Sequence, residues 1–205
     1  MNKTKSQLVR ELIRGNEITV EQAKSLGSIE NADESLSFKY VIRGDNFLGK
    51  NKYSSPPHVA TICGLLGNLV AKRKGSIKDY LYEEFKDHKK YYDLGADLTK
   101  PIEFCNVFNF KEGKFERAII SEFEEGKTIG EFRKTKYFLL AKKLHAKVLE
   151  KTEKLGINPY LDAGYRNTIY NQRRGRVKLI DPESWEMDKV MKGTEKEMEE
   201  NRDGN

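Results

Sequence analysis

The side chains best suited to chemistry fall in two parts of the chain. Tyr160-Leu161-Asp162-Ala163-Gly164-Tyr165-Arg166-Asn167 sets a carboxylate and an amide five positions apart, and the apolar run Val177-Lys178-Leu179-Ile180 ends on Asp181, 14 residues after Asn167. Carboxylate and amide oxygens suit a hard cation, and a carboxylate within reach of a hydroxyl can take or orient its proton. Because Asp181 follows an apolar strand, its backbone is expected to be rigid and its carboxylate to project from the strand end into a cleft. The other part holds an amine and an acid. Lys72 ends the apolar run Leu69-Val70-Ala71, and Glu84 lies in the segment after it. There Leu81, Phe85, His88 and Tyr92 recur at helical spacing. Glu84, three after Leu81 and four before His88, shares their face, whereas Glu83 points about 100° away. An acid on a buried face needs a cation beside it, and Lys72 is the natural candidate.

Periodicity and punctuation give the elements that must hold these residues. Residues 6–26 read as two short helices: Leu8, Val9, Leu12 and Ile13 recur at helical spacing, Gly15-Asn16 interrupts, and Thr19-Val20-Glu21-Gln22 opens the second. Residues 27–35 read as a linker. Leu36, Phe38, Tyr40 and Ile42 then alternate with Ser37, Lys39 and Val41, the pattern of a half-buried strand, and further strands are expected near 59–63 and 68–72. Ser76 caps a helix with an acid, Asp79, at the third following position, and the helix closes at Leu94-Gly95. Strands at 101–110 and 115–123 flank the turn Lys111-Glu112-Gly113-Lys114. A long helix over about 135–155 carries Ala141, Leu144, Val148 and Leu155 on one stripe and stops at Gly156. Two short strands, 168–170 and 176–180, are joined by a basic turn, and the polar, acidic stretch from Glu186 is expected to be frayed or disordered.

Asp162 with Asn167 five residues on, followed by a strand ending in Asp181, resembles the catalytic and metal-binding segments of the protein-kinase-like superfamily. Leu69-Val70-Ala71-Lys72 looks like the strand that carries its phosphate-contacting lysine, and Ala118-Ile119-Ile120-Ser121-Glu122-Phe123-Glu124-Glu125-Gly126 looks like its hinge. The resemblance covers about residues 36–185. It implies an α+β, two-lobed fold: an antiparallel N-lobe sheet with one helix over 36–123 and a truncated helical C-lobe over 124–188. Residues 1–35 would form an N-terminal helical extension and 189–205 a disordered tail.

The same resemblance implies ATP and Mg²⁺ as cofactors. Asp162 would accept or orient the proton of the acceptor hydroxyl, with Lys72 and Asn167 as its catalytic partners. Lys72, paired with Glu84, would contact the phosphates. The backbone of Glu122 and Phe123 would read the adenine edge, and Asn167 and Asp181 would be the metal ligands. Several positions depart from the pattern. Gly44-Asp45-Asn46-Phe47-Leu48-Gly49 lacks the G-x-G-x-x-G of a phosphate loop, and Tyr160 stands where the motif leads with histidine. Gly164 stands where protein kinases carry a lysine that neutralises the transferring phosphate, and Pro182-Glu183 replaces Phe-Gly. Only 24 residues follow Asp181, which makes the pattern more similar to compact atypical kinases, such as the RIO and lipopolysaccharide-kinase-like groups or small bacterial effector kinases. The implied activity is transfer of a γ-phosphate to a Ser/Thr hydroxyl of an unknown protein substrate. The alternative, which Gly164 and the irregular glycine loop favour, is a catalytically weak pseudokinase acting as a nucleotide-dependent binding module.

Composition bounds these readings. The 205 residues, 37% hydrophobic and 34% charged, suit one domain or two joined lobes with a heavily solvated surface. No run approaches the roughly 18 consecutive apolar residues of a membrane span. The N-terminal residues carry no apolar signal core, and Cys63 and Cys105 read as buried thiols of a reducing compartment, so a cytoplasmic location is expected. The formal charge of +6, with basic clusters at Lys72-Arg73-Lys74, Lys142-Lys143 and Arg173-Arg174-Gly175-Arg176, admits nucleic acid or a phosphorylated ligand. Residues 6–26 vaguely resemble a helix-turn-helix, but the second helix offers Lys24 as its only cation, which is poor for phosphate contacts. Nucleic acid is therefore not the expected partner. A small-molecule kinase of the aminoglycoside-phosphotransferase type is left little room for a substrate pocket by the short C-terminal part.

Overall fold

The computed structural model describes residues 3–43, 59–62, 69–73, 78–159, 163–182 and 186–187. The expected catalytic residue Asp162, the glycine loop at 44–49, the Ser76 cap, Cys63 and the tail 189–205 lie outside the described residues. The chain divides into two compact units, Met1–Lys86 with Lys100–Phe123, and Asp87–Thr99 with Glu124–Asn205. It is an α+β protein with a mixed sheet and four α-helices among the described residues.

In the first unit, α1 (Lys5–Ile13) and α2 (Val20–Leu26) each begin with a capping box. The Gln7 and Gln22 amides donate to Thr4 and Thr19 Oγ1, and the N–H groups of those threonines donate back to the glutamine side chains. Donors that a helix start leaves without intrahelical partners are thereby satisfied. Residues 27–35, expected to be a linker, contain β1 (Ser28–Asn31), which runs parallel to β6 (Lys114–Glu122). Four mostly exposed residues show no alternation, and β1 is held through its backbone, so no apolar pattern announced it.

The main sheet also holds β2 (Phe38–Ile42), β3 (Val59–Thr61), β4 (Leu69–Lys72) and β5 (Pro101–Asn109), in the order β2-β5-β6-β4-β3. An antiparallel sheet was expected; the observed one is mixed, because β2 runs parallel to β5 and β1 to β6. The β5–β6 hairpin forces opposite directions, whereas β2 and β5 share no hairpin, so no tight turn fixes their sense. The hairpin closes at Gly113, whose φ of 65° is the left-handed conformation that glycine takes at no steric cost.

The expected alternation of Phe38, Tyr40 and Ile42 on one face also fails. Tyr40 has φ 59°, and the register with β5 shifts between Phe38 and Val41. This irregularity moves the side chains that follow to the other face. Phe38 and Val41 join Leu8, Leu12, Ile18, Ala23, Leu26, Phe108 and Phe115 in one core, while Tyr40 and Ile42 join Ala71, Cys105, Val107, Ala118 and Ile120 in a second.

The division between units falls inside α3 (Lys78–Asp93). The second unit, expected to be helical, is mixed among its described residues. It holds α4 (Phe138–Lys154), a 3-10 turn at Ile129–Phe132 and five short strands: β7 (Lys127–Thr128), β8 (Ile157–Asn158), β9 (Thr168–Asn171), β10 (Arg176–Leu179) and β11 (Glu186–Met187). They pair as β10-β9-β7 and β11-β8. On α4 the expected stripe holds in outline: Ala141 is buried, Leu144, Val148 and Leu155 are half-buried, and the polar His145 and Thr152 are buried beside them. Gly156, at φ 73°, ends the helix as its sequence position suggested.

Candidate functional site

Lys72 is the last residue of β4, which pairs antiparallel with both β3 and β6, so its backbone is fixed from two sides. Its cross-strand partner is Ile119, and that of Ile119 on β5 is Phe104, which places the three side chains on one face of the sheet. The first half of α3 packs there through Phe85, whose ring stacks on Phe104, and Tyr82. On α3 the buried residues are Leu81, Glu84, His88 and Tyr91, and the expected Phe85 and Tyr92 are half-buried. The Lys72 ammonium donates to Glu84 Oε1. The two side chains are only 12% and 3% exposed. A strand end and a helix face thus hold one amine and one carboxylate together with little exposure, the pairing that the helical period predicted. The neighbouring Arg73 goes elsewhere and donates to Glu116 Oε2 at 2.8 Å.

Asn167 and Asp181 belong to the second unit. The described residues between β8 and β9 are tied to one another: the Ala163 N–H donates to the Pro159 carbonyl, the Asn167 N–H to the Gly164 carbonyl, and Thr168 Oγ1 to the same oxygen. The Ile180 N–H then donates to the Asn167 carbonyl at 2.8 Å, tying the loop's end to the residue that precedes Asp181. Leu179, wholly buried, anchors β10 through its N–H to the Asp97 carbonyl and its carbonyl to the Thr99 N–H. Asp181 itself has φ 62°. A left-handed backbone is uncommon for any residue but glycine, and a following proline, here Pro182, steers the residue before it towards extended conformations. Asp181 therefore holds its half-buried carboxylate against its local backbone preference. An amide and a carboxylate oxygen are the hard donors that Mg²⁺ takes. Among the described residues no group of three or more His, Cys, Asp or Glu gathers as a metal cluster.

One positioning contact was not legible in the sequence. His145, buried on α4, bonds through Nε2 to the Ala163 carbonyl at 2.7 Å, beside the Tyr165 ring. A carbonyl only accepts, so Nε2 carries the hydrogen. Burial lowers the imidazole's pKa and the bond to Ala163 opposes the shift. The signal available in sequence was a lone histidine on an apolar stripe, which does not say what it bonds.

Glu122 ends β6, exposed, with its N–H donating to the Lys100 carbonyl; Phe123 follows, half-buried. Glu124, which sequence reasoning did not single out, is held by Arg176 and by Asn171, whose Nδ2 lies 2.8 Å from its Oε1. Burial pushes the Glu124 carboxyl's pKa up, but the hydrogen bonds from Arg176 and Asn171 prevail and lower it. The structure therefore brings Lys72 and Glu84 together in the first unit, and links the Asn167 loop to the Asp181 strand end in the second.

No helix of the described residues is long and apolar enough to cross a membrane. Compared with models of known protein families the chain matches none, and no curated protein matches it.

Proposed function

We propose that the chain is an ATP- and Mg²⁺-dependent phosphotransferase with a protein-kinase-like two-lobed fold, most simply a minimal cytoplasmic Ser/Thr protein kinase. The observation that carries this reading is the Lys72–Glu84 pair, with Glu84 buried and Lys72 half-buried. A buried ion pair is a poor way to gain stability, since desolvation offsets much of the attraction. It is a good way to fix an amine on a rigid strand, and phosphoryl transfer asks a protein for position and charge above all.

In this reading Lys72, oriented by Glu84, binds phosphate oxygens, and the backbone of Glu122 and Phe123 borders the adenine. Asp162 orients the acceptor hydroxyl and takes its proton. Asn167 and Asp181 would hold Mg²⁺, which when bound offsets the charge on the phosphates. The left-handed backbone at Asp181 supports its assignment, because such strain concentrates where a side chain must be aimed.

A nucleotide titration with and without Mg²⁺ tests the proposal, comparing the native chain with Lys72→Ala and Asp181→Ala. Mg²⁺-dependent ATP binding that both substitutions abolish is expected; a chain that binds no ATP ends the proposal. Gly164 favours the second reading, a pseudokinase. Among the described residues a Cβ there would meet nothing within 4 Å, so packing does not demand glycine, and the lysine that would neutralise the phosphate is missing without a packing reason. ATP turnover that Asp162→Ala abolishes supports the kinase; binding with no transfer to any acceptor supports the pseudokinase.

A further inference from the structure

The second unit carries a cleft that the proposed chemistry does not use. It lies between α4 and β10 and encloses about 380 Å³. Its rim is cationic. Lys147 and Lys151, one turn apart on α4, border it on one side, and Arg176 and Lys178, two apart and hence on one side of β10, border it on the other. Among the described residues two carboxylates meet these four cations: Asp97 is 3.0 Å from the Lys151 ammonium and 3.9 Å from that of Lys178, and Glu124 is paired with Arg176. Asp97 thus draws together amines from a helix and a strand and leaves the cleft with an excess of positive charge. Arg173 and Arg174, exposed on the adjoining turn, extend it.

The floor is different. Leu144, Val148 and Val177 line it, so the cleft joins an aliphatic seat to a basic rim. Among the described residues no aromatic ring lines it, and single-stranded nucleic acid uses such rings for base stacking.

We propose that this cleft is a docking groove for an acidic peptide segment of a partner protein. Carboxylates of the segment engage Lys147, Lys151 and Lys178, and an aliphatic side chain between them sits on Leu144, Val148 and Val177. Charge complementarity selects the partner and speeds its arrival, and the apolar seat fixes its register. Ion pairs on an exposed rim contribute little each, so affinity is modest and falls with salt. The groove does not depend on the phosphotransfer reading.

The test is fluorescence anisotropy on the full chain with a labelled short peptide of aspartates and glutamates around a central leucine. The native chain binds it, more weakly as salt rises, and Lys147→Glu with Lys178→Glu lowers affinity about tenfold or more while ATP binding is unchanged. A peptide with serine in place of the leucine binds more weakly. Failure of the native chain to bind, or equal affinity in the charge-reversed chain, overturns the proposal. So does equal affinity for the serine peptide, which would mean bare charge attraction. So, too, does a single-stranded oligoribonucleotide that binds more tightly than the peptide and loses that binding in the same variant. If circular dichroism shows that Lys178→Glu disturbs β10, Lys147→Glu alone, on an exposed position of α4, carries the comparison.

Discussion

Burying a lysine against a glutamate is tolerable only while both are present. Glu84→Ala strips Lys72 of the carboxylate it donates to and leaves an ammonium that is 12% exposed, which costs about 3–5 kcal/mol by the usual magnitude for breaking such a pair. Removing both charges with groups of similar shape is nearly neutral, so Lys72→Met with Glu84→Gln recovers most of that loss in a urea melt. If the pair exists to position the amine, the double variant stays folded yet binds ATP at least about tenfold more weakly. A double variant with native nucleotide affinity refutes the role given to Lys72. Asp181 allows a second separation. Glycine adopts its left-handed backbone freely, so Asp181→Gly keeps the fold while removing Mg²⁺-dependent binding. Loss of both together would show that the carboxylate is needed for the fold. Glu84 was legible in the sequence because burial of an acid demands a partner and the helical period names the buried face. The backbone of Asp181 was not, since no residue pattern there requires φ above zero.

Elements were legible where a period or a turn residue marked them. The hairpin at Gly113, the stop of α4 at Gly156 and the two capped N-terminal helices all carry such marks. The strand β1 and the shift at Tyr40 do not, because one rests on backbone pairing with a single half-buried side chain, Ile29, and the other on a register that only the neighbouring strand defines. The loop that presents Asn167 hangs on α4 through His145, and this contact has a pH signature. The folded chain keeps the imidazole neutral, with its pKa below the ordinary 6.5, while the unfolded chain protonates near that value. The unfolded state then binds more protons, so the stabilisation is complete above about 6.5 and is lost as pH falls through the lowered value. Urea midpoints across this interval fall with pH in the native chain and fall less in His145→Gln, which keeps a donor for the Ala163 carbonyl. Parallel pH dependences in the two would remove His145 from the account.

At the scale of the whole molecule, the question is whether residues 1–26 are an appendage or part of the first unit. The sequence reads residues 1–35 as a helical extension, because nothing in linear order shows that β1 returns the chain to β6. Within that unit Leu8, Leu12, Ile18 and Leu26 are buried against Phe38, Val41, Phe108 and Phe115, and a Cβ at Gly27 would collide with the Gly113 carbonyl oxygen, so the chain between α2 and β1 lies directly on the hairpin. Burying one such aliphatic side chain is worth about 1.5–3 kcal/mol, so four contribute roughly 6–12 kcal/mol. Total stabilities of native proteins run about 5–15 kcal/mol. Deleting residues 1–26 therefore removes an amount comparable to the whole, and bares Phe38, Phe108 and Phe115 to water. The shortened chain is expected to lack a cooperative thermal transition and to lose ATP binding with it, as followed by circular dichroism and titration. A shortened chain that melts cooperatively near the native temperature would mean that the sheet holds Lys72 and Glu84 without the helices, and that α1 and α2 serve something other than the fold.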